Sequence, residues 1–171
     1  MRVNQNRNLK LPVEMKLAKQ LVATCLAKGL SLSVAESLTG GLLSSSIVGA
    51  GGASKIFKAG LVTYTNEMKS SLLGVNAGAL KSYGAVSAQV AKEMAEKVCL
   101  VTGSDVGIGT TGLAGPKSAE GKPVGLAYIG VSTPMGVTVY VRHFSGGRQE
   151  IRTRVTVLAL RRALHLIQQL P

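Results

Sequence analysis

The chain has 171 residues and a formal net charge of +12. This length fits one domain that buries about 70% of its unfolded surface, so the fold needs no disulfide or metal to hold it together. Apolar residues make up 46% of the sequence but Trp is absent, which predicts an aliphatic core. The two Cys and two His lack metal-ligand spacing, and no run of about 20 apolar residues is present. We therefore expect no metal, no cofactor and no membrane span.

The positive charge is concentrated at the two ends of the chain. Residues 1–28 and residues 142–171 each have six Lys or Arg against one Glu. Such ends are typical of a solvated basic surface, of a surface that attracts anionic ligands, or of a nucleic-acid-binding protein. Few aromatic residues are available for base stacking, so we expect no nucleic-acid partner. Residues 1–12 lack the apolar segment of a signal peptide, and we expect a flexible arm and a cytoplasmic protein.

Periodic apolar residues and turn signals divide the rest of the chain, 13–171, into helices and strands of one domain. The predicted elements in chain order are helix 13–28, strand 31–36, helix 39–48, strand 58–65, helices 66–73, 77–83 and 87–102, strand 105–110, strands 124–132 and 137–144, and helix 149–169. In the helix after Ser87 the predicted inner stripe is Val90, Met94, Val98 and Val101. Strands that alternate with helices predict an α/β fold with three α/β/α layers, and the final hairpin makes the sheet mixed.

A serine follows the first predicted strand, in the segment 35–41. Ser37 and Thr39 lie where a helix is predicted to begin, and the free N–H groups of a helix start can bind negative charge. Gly40 and Gly41 would let a substrate approach the backbone closely. Ser37 is therefore a candidate nucleophile beside an oxyanion site, with the alternative that it is a helix cap in a Gly-rich turn.

A second candidate segment follows the second predicted strand. Tyr64 ends that strand, and Lys69 lies about one helical turn into the next element. A serine nucleophile needs a base, and neither His is suitably placed in the sequence. A Lys near a Tyr favours the phenolate, so either group could take the Ser37 proton. The alternative is a half-exposed Tyr beside a solvated Lys.

Two later segments are rich in glycine. Residues 109–116 follow an apolar strand, which is where α/β sheets commonly bind ligands, although the segment matches no nucleotide-binding motif. Its candidate substrate contacts are Thr111, Gly112 and Gly115. In residues 144–148, Arg148 begins a helix after two glycines. Its guanidinium could bind a phosphate or carboxylate, or it could simply belong to the basic surface.

Together these segments resemble the CinA C-terminal family, over nearly the whole chain from about Leu17 to Leu164. The first of them reads Ala35-Glu36-Ser37-Leu38-Thr39-Gly40-Gly41. The others are 64–69, 72–75, 84–87, 111–116, 122–125 and 146–148. Seven matching segments in the same order make a chance similarity implausible.

The resemblance implies the fold of that family and the activity of its stand-alone members, which hydrolyse the carboxamide of nicotinamide mononucleotide (NMN). It implies Ser37 as the nucleophile of an acyl-enzyme, Tyr64 and Lys69 as its activating partners, and Thr111 and Arg148 as substrate-pocket residues. We expect the oxyanion to be held by N–H groups near residues 39–41, and the phosphate by Arg148 and the 111–115 backbone. About a dozen residues precede the first predicted helix, so we expect a stand-alone amidase, and we expect a homo-oligomer.

The sequence departs from the family pattern at three places. Leu38 stands where the family usually has Cys, and Gly147 where it usually has Asp. Residues 117–121 are poorer in glycine than in the family. If the Asp orients the neighbouring Arg, the phosphate is held more loosely here. Two alternatives to the amidase stay open. The basic ends suggest a non-enzymatic DNA-associated competence protein, and Leu38 and Gly147 suggest a relative that binds a nucleotide without turnover.

Overall fold

The computed structural model describes residues 11–171, so all but the last two residues of the predicted arm lie outside the described part of the chain. The helices of this part are α1 (Val13–Lys28), α2 (Leu42–Val48), α3 (Asn66–Ser71), α4 (Ala77–Tyr83), α5 (Ala88–Thr102) and α6 (Arg148–Gln168). Its strands are β1 (Leu32–Glu36), β2 (Phe57–Val62), β3 (Val106–Gly112), β4 (Leu126–Thr133) and β5 (Gly136–His143). No helix among residues 11–171 is long and apolar enough to cross a membrane.

The five strands form one mixed sheet in the order β2-β1-β3-β4-β5. Strand β1 is parallel to both β2 and β3, whereas β4 is antiparallel to β3 and to β5. The predicted α/β fold with a mixed sheet and a final hairpin is therefore confirmed. Because β1, β2 and β3 are parallel, their carboxyl ends meet at one edge of the sheet, and the segments after Glu36, Val62 and Gly112 come together there.

Helices cover both faces of the sheet, which confirms the three-layer architecture. On one face α1, α2 and α6 enclose the larger core, whose fully buried side chains include Leu21, Leu43, Ile108 and Leu160. On the other face α5 packs across the sheet over a smaller core. The buried members of this core are Ala35, Leu73, Val75, Val90, Met94 and Val98.

Helix α5 lies close to the sheet because glycines face it. A Cβ atom on Gly109 would lie 2.7 Å from the Ala91 carbonyl oxygen, and one on Gly130 would lie 2.2 Å from the same oxygen. Real Cβ atoms do not approach a carbonyl oxygen this closely, so a side chain at either position would push the helix away. These glycines therefore allow the backbone of α5 to pack against the backbones of β3 and β4; they do not form a turn.

Several sequence-based boundaries differ from the structure. Strand β2 ends at Val62 rather than at residue 65, so Tyr64 lies in the connection to α3 and does not end the strand. Helix α2 begins at Leu42 rather than at residue 39, because Gly40 and Gly41 have left-handed backbone angles (φ +55° and +95°) that a helix cannot contain. Strand β3 continues to Gly112, so Thr111 belongs to a strand rather than to a loop. Val101 is 54% exposed, and the buried stripe of α5 ends at Val98.

Candidate active site

A cleft of about 310 Å³ opens at the carboxyl ends of the three parallel strands. This volume lies at the lower end of the range of small-molecule sites. The cleft brings together most of the predicted site residues. Those that line it are Ser37, Tyr64, Lys69, Thr111, Gly112, Gly115 and Arg148. Thr39, Gly40 and Gly41 do not line it.

The side-chain nitrogen of Lys69 lies within hydrogen-bond distance of the Ser37 hydroxyl. Its Nζ atom is 3.0 Å from Ser37 Oγ, 2.9 Å from the Thr63 carbonyl oxygen and 3.3 Å from the Tyr64 carbonyl oxygen. The Lys69 side chain is 1% exposed, so it is not the solvated Lys of the alternative interpretation. Ser37 is 8% exposed and reaches the cleft. The two residues form a buried Ser–Lys pair.

Burial changes the protonation of Lys69. It lowers the pKa of the ammonium from 10.5 to about 8, although the nearby Glu120 carboxylate acts in the opposite direction. At pH 7 about a tenth of the molecules then have a neutral amine, roughly 300 times more than at the ordinary pKa. A neutral amine has two N–H bonds and one lone pair. With the two carbonyl oxygens as acceptors, the lone pair is left for the Ser37 proton.

Tyr64 is placed differently from the sequence-based expectation. Its side chain is 57% exposed, and its hydroxyl oxygen accepts a hydrogen bond from Arg148 Nη2 at 2.9 Å. Lys69 contacts the Tyr64 carbonyl oxygen, not its phenol. Of the two bases left open by the sequence, the geometry therefore favours Lys69, with the Tyr64 ring at the mouth of the cleft.

The start of α2 is already occupied by a carboxylate of the chain itself. Glu36 is fully buried, and it accepts hydrogen bonds from the N–H groups of Gly41 (2.9 Å), Leu43 (3.1 Å) and Ser44 (2.8 Å). The Gly40 N–H donates to the Ser37 carbonyl oxygen at 3.2 Å. The prediction that Gly40 and Gly41 supply oxyanion donors is therefore wrong, because internal acceptors take both N–H groups.

Thr39 also lies behind the cleft. Its hydroxyl is fully buried and shares a 2.8 Å hydrogen bond with the Thr110 hydroxyl of the neighbouring strand. The side chain thus fixes the loop after Ser37 onto β3. Its backbone N–H, unlike those of Gly40 and Gly41, has no acceptor among residues 11–171. Thr39 can therefore contribute to the site through its backbone only.

One wall of the cleft is held by Thr111 and by a residue that the sequence reasoning missed. Thr111 donates from its hydroxyl to the Ala85 carbonyl oxygen at 2.7 Å. The Glu120 carboxylate accepts from the Ala85 N–H at 3.0 Å and from the Val86 N–H at 3.2 Å, and it pairs with Lys122. These hydrogen bonds lower the Glu120 pKa against the effect of its partial burial. The one sequence signal for Glu120 was its position in residues 117–121, a segment that departs from the family pattern.

Arg148 lies across the mouth of the cleft. Its Nη1 atom donates to the Gly115 carbonyl oxygen at 2.6 Å, and Nη2 donates to Tyr64. The chain has Gly147 where the family usually has Asp, and the Gly147 N–H donates to Glu150 at 2.9 Å. Arg148 is thus oriented by Gly115 and Tyr64. Its orientation does not depend on an Asp at position 147, which was the reason for expecting weaker phosphate binding. Two further polar lining residues, Asn66 and Lys117, were not identified from the sequence.

Comparisons with known proteins point to one family. The model of the CinA C-terminal domain matches residues 14–167. A CinA-like protein of Acidobacterium capsulatum is 47% identical over 143 residues, which are 83% of this chain and 34% of the relative. The chain spans about a third of the length of the curated relatives it matches first.

Solved structures give the same result. A competence/damage inducible protein, CihA, from Agrobacterium tumefaciens is 34% identical, with a TM-score of 0.88 over 95% of this chain and 100% of that one. A competence-damaged protein (CinA) superfamily protein from Escherichia coli is 33% identical, with a TM-score of 0.88 over 97% of this chain and 99% of that one.

Proposed function

The chain belongs to the CinA C-terminal domain family, and we propose that it hydrolyses the carboxamide of NMN to give nicotinic acid mononucleotide and ammonia. The observation that carries this proposal is the contact of 3.0 Å between Lys69 Nζ and Ser37 Oγ at the base of the cleft. A Ser–Lys pair is one of the arrangements that activate a serine for acyl transfer. The lowered pKa of Lys69, about 8, suits a base that works near neutral pH.

In the first half of the reaction Ser37 Oγ attacks the carboxamide carbon while its proton passes to the neutral Lys69 amine. The oxyanion is bound by the backbone N–H groups of Leu38 and Thr39, which directly follow the nucleophile. The C–N bond then breaks, and the Lys69 ammonium returns the proton to the leaving amide nitrogen, which departs as ammonia. This step leaves an ester between Ser37 and the nicotinoyl group.

In the second half a water molecule attacks this ester and Lys69 accepts its proton. The Ser37–acyl bond breaks, the proton returns to Oγ, and nicotinic acid mononucleotide leaves. The 5′-phosphate is bound by Arg148, which uses only two of its five N–H donors on Tyr64 and Gly115. Lys117 adds a second positive charge to the same cleft.

The test is ammonia release from NMN by the purified protein. We expect release from the wild type, loss of release in Ser37→Ala, and wild-type release in Ser54→Ala, which removes an exposed hydroxyl outside the cleft. A wild type without release would refute the amidase. Equal release from the wild type and Ser37→Ala would refute Ser37 as the nucleophile.

A DNA-associated binding role is the second candidate, favoured by the exposed basic side chains Arg142 on β5 and Arg161 on α6. It predicts DNA binding that weakens steeply with salt and is unchanged in Ser37→Ala. A nucleotide-binding relative without turnover would instead bind NMN and release no ammonia. Binding and turnover measured on the same preparation separate the three roles.

A further inference from the structure

We propose that Arg152 is a positioning residue that orients the two backbone N–H groups of the oxyanion site. This inference rests on the proposed acyl transfer from Ser37. Arg152 lies on α6, one turn after Arg148, and neither the sequence motifs nor the cleft lining draws attention to it. It acts on the loop after the nucleophile and does not line the cleft itself.

The guanidinium of Arg152 spans two consecutive carbonyl groups. Its Nε donates to the Leu38 carbonyl oxygen at 3.1 Å, and Nη2 donates to the Thr39 carbonyl oxygen at 2.7 Å. The third nitrogen, Nη1, donates to the Gln149 side-chain oxygen at 2.6 Å. A planar guanidinium matches this pair of acceptors in a way that the single nitrogen of a Lys cannot.

Fixing a carbonyl also fixes the N–H group of the following residue. In a planar trans peptide the C=O and N–H bonds point in opposite directions. The Leu38 carbonyl is held by Arg152, so the Thr39 N–H points away from the guanidinium. The Ser37 carbonyl is held by the Gly40 N–H at 3.2 Å, which fixes the Leu38 N–H in the same way. Among residues 11–171 nothing accepts from these two N–H groups, so both are available for an oxyanion.

The charge of Arg152 also strengthens the donors that it orients. All three of its acceptors are neutral oxygens, so within residues 11–171 no carboxylate neutralises the guanidinium through a direct contact. A charge-assisted hydrogen bond to the Leu38 carbonyl polarises that peptide, and the Thr39 N–H at its other end becomes a better donor. Pre-oriented, polarised N–H groups are what stabilises a tetrahedral intermediate.

The structure explains why residue 40 is a glycine, and the explanation agrees with this role of Arg152. A Cβ atom at Gly40 would lie 3.1 Å from Arg152 Nη2, and the residue has φ +55°. Both facts favour glycine at the place where the guanidinium passes over the loop. The glycine after Thr39 thus makes room for Arg152, where the sequence had suggested room for a substrate.

The experiment uses a fluorophosphonate probe, which reports on the nucleophile without depending on NMN. Ser37 Oγ forms a bond to phosphorus, the P–F bond breaks, fluoride leaves, and the hydroxyl proton passes to Lys69. The charge on the phosphoryl oxygen needs the same N–H donors. We expect Arg152→Lys to label about 10- to 100-fold more slowly than the wild type. Arg154→Lys, the same change at an exposed site on α6, should label at the wild-type rate.

Two further measurements distinguish positioning from a general structural role. The pH at which labelling is half-maximal should stay the same in Arg152→Lys, because Lys69 keeps its three contacts. Added guanidinium should restore part of the labelling rate of Arg152→Ala. In NMN hydrolysis the same variants should lose kcat with little change in KM, since Arg152 acts on the transition state.

The outcomes separate this inference from the proposed function. Labelling of Arg152→Lys at the wild-type rate would overturn the role of Arg152, as would a shift of its pH midpoint large enough to explain the slower labelling. A wild type that labels but releases no ammonia from NMN would refute the substrate and leave the probe comparison to decide on Arg152. A wild type that shows neither reaction would refute both proposals.

Discussion

Replacing Lys69 by Met should abolish activity and at the same time stabilise the protein at neutral pH. The Lys69 side chain is 1% exposed, and burial lowers its pKa from 10.5 to about 8. Below pH 8 the folded protein therefore holds an ammonium group in an environment that disfavours the charge. Met has a similar length and no charge, so it can fill the same space without this cost.

The pKa change sets the size of the effect. A pKa lowered from 10.5 to about 8 corresponds to about 3 kcal/mol of destabilisation by the charged form at low and neutral pH. Met loses the hydrogen bonds to the Thr63 and Tyr64 carbonyl oxygens, at about 1 kcal/mol each. The expected net gain in the free energy of unfolding of Lys69→Met is about 1 kcal/mol at pH 7.

The pH dependence checks the sign of this reasoning. Between pH 8 and 10.5 the unfolded chain binds more protons at this position than the folded protein, so wild-type stability attributable to Lys69 rises with pH. Near pH 9 the gain from removing the charge falls to about 2 kcal/mol, which equals the loss of the two hydrogen bonds, so above this pH the variant becomes the less stable protein. Urea unfolding of both proteins at pH 7 and pH 10 measures this. An equal loss of stability in Lys69→Met at both pH values would refute the reasoning.

The other predictions concern activity and packing. The value of kcat/KM for NMN should rise with pH to a plateau, with an apparent pKa of about 8. In Glu120→Gln this pKa should be lower, because the carboxylate of Glu120 raises the pKa of Lys69. A pH-independent rate would contradict Lys69 as the base. Tyr64→Phe should raise KM about 5-fold through one lost hydrogen bond and leave the pH midpoint unchanged, whereas a lost midpoint would make the phenol the base. Gly109→Ala should lower the free energy of unfolding by about 1–3 kcal/mol, because its Cβ meets a carbonyl oxygen of α5 at 2.7 Å. Gly51→Ala is its control, because a Cβ atom at Gly51 would have no atom of the described residues within 4 Å apart from its chain neighbours, and it should change stability little in thermal unfolding.

The layers and the sheet could be predicted because their signals are local. Apolar periodicity, the Gly29 stop and the Ser87 cap mark α1 and α5, and the turn at residues 134–136 marks the hairpin. The start of α2 could not be predicted in this way. Its position depends on the left-handed angles of Gly40 and Gly41, and these depend on contacts made by Glu36 and by a distant helix.

The candidate site was predictable as a set of residues but not as an arrangement. Lys69 and Tyr64 were named together, yet nothing in their spacing shows that the amine turns to Ser37 while the phenol turns to Arg148. Glu36 belongs to the segment 35–41 that resembles the family. Nothing in the sequence indicated that its carboxylate would accept hydrogen bonds from the first N–H groups of α2. Arg152 acts over more than 100 residues of sequence, and separations of that size carry no local signal.

The environment of Lys69 follows from the short connection between β2 and α3. Only Thr63, Tyr64 and Thr65 join these elements, and Lys69 is the fourth residue of a six-residue helix. The Thr65 hydroxyl caps the helix by accepting from the Met68 N–H at 3.2 Å, so the helix starts at a fixed distance from the strand end. The Lys69 side chain therefore returns over the connection, where the Thr63 and Tyr64 carbonyl oxygens accept its N–H bonds. Since β2 is parallel to β1, Ser37 lies at the same edge of the sheet, within hydrogen-bond distance of the amine lone pair that the two carbonyl oxygens leave free. The spacing of residues 64–69 is thus a geometric requirement of the Ser–Lys pair, because an added residue would move the amine away from both carbonyl oxygens and the hydroxyl.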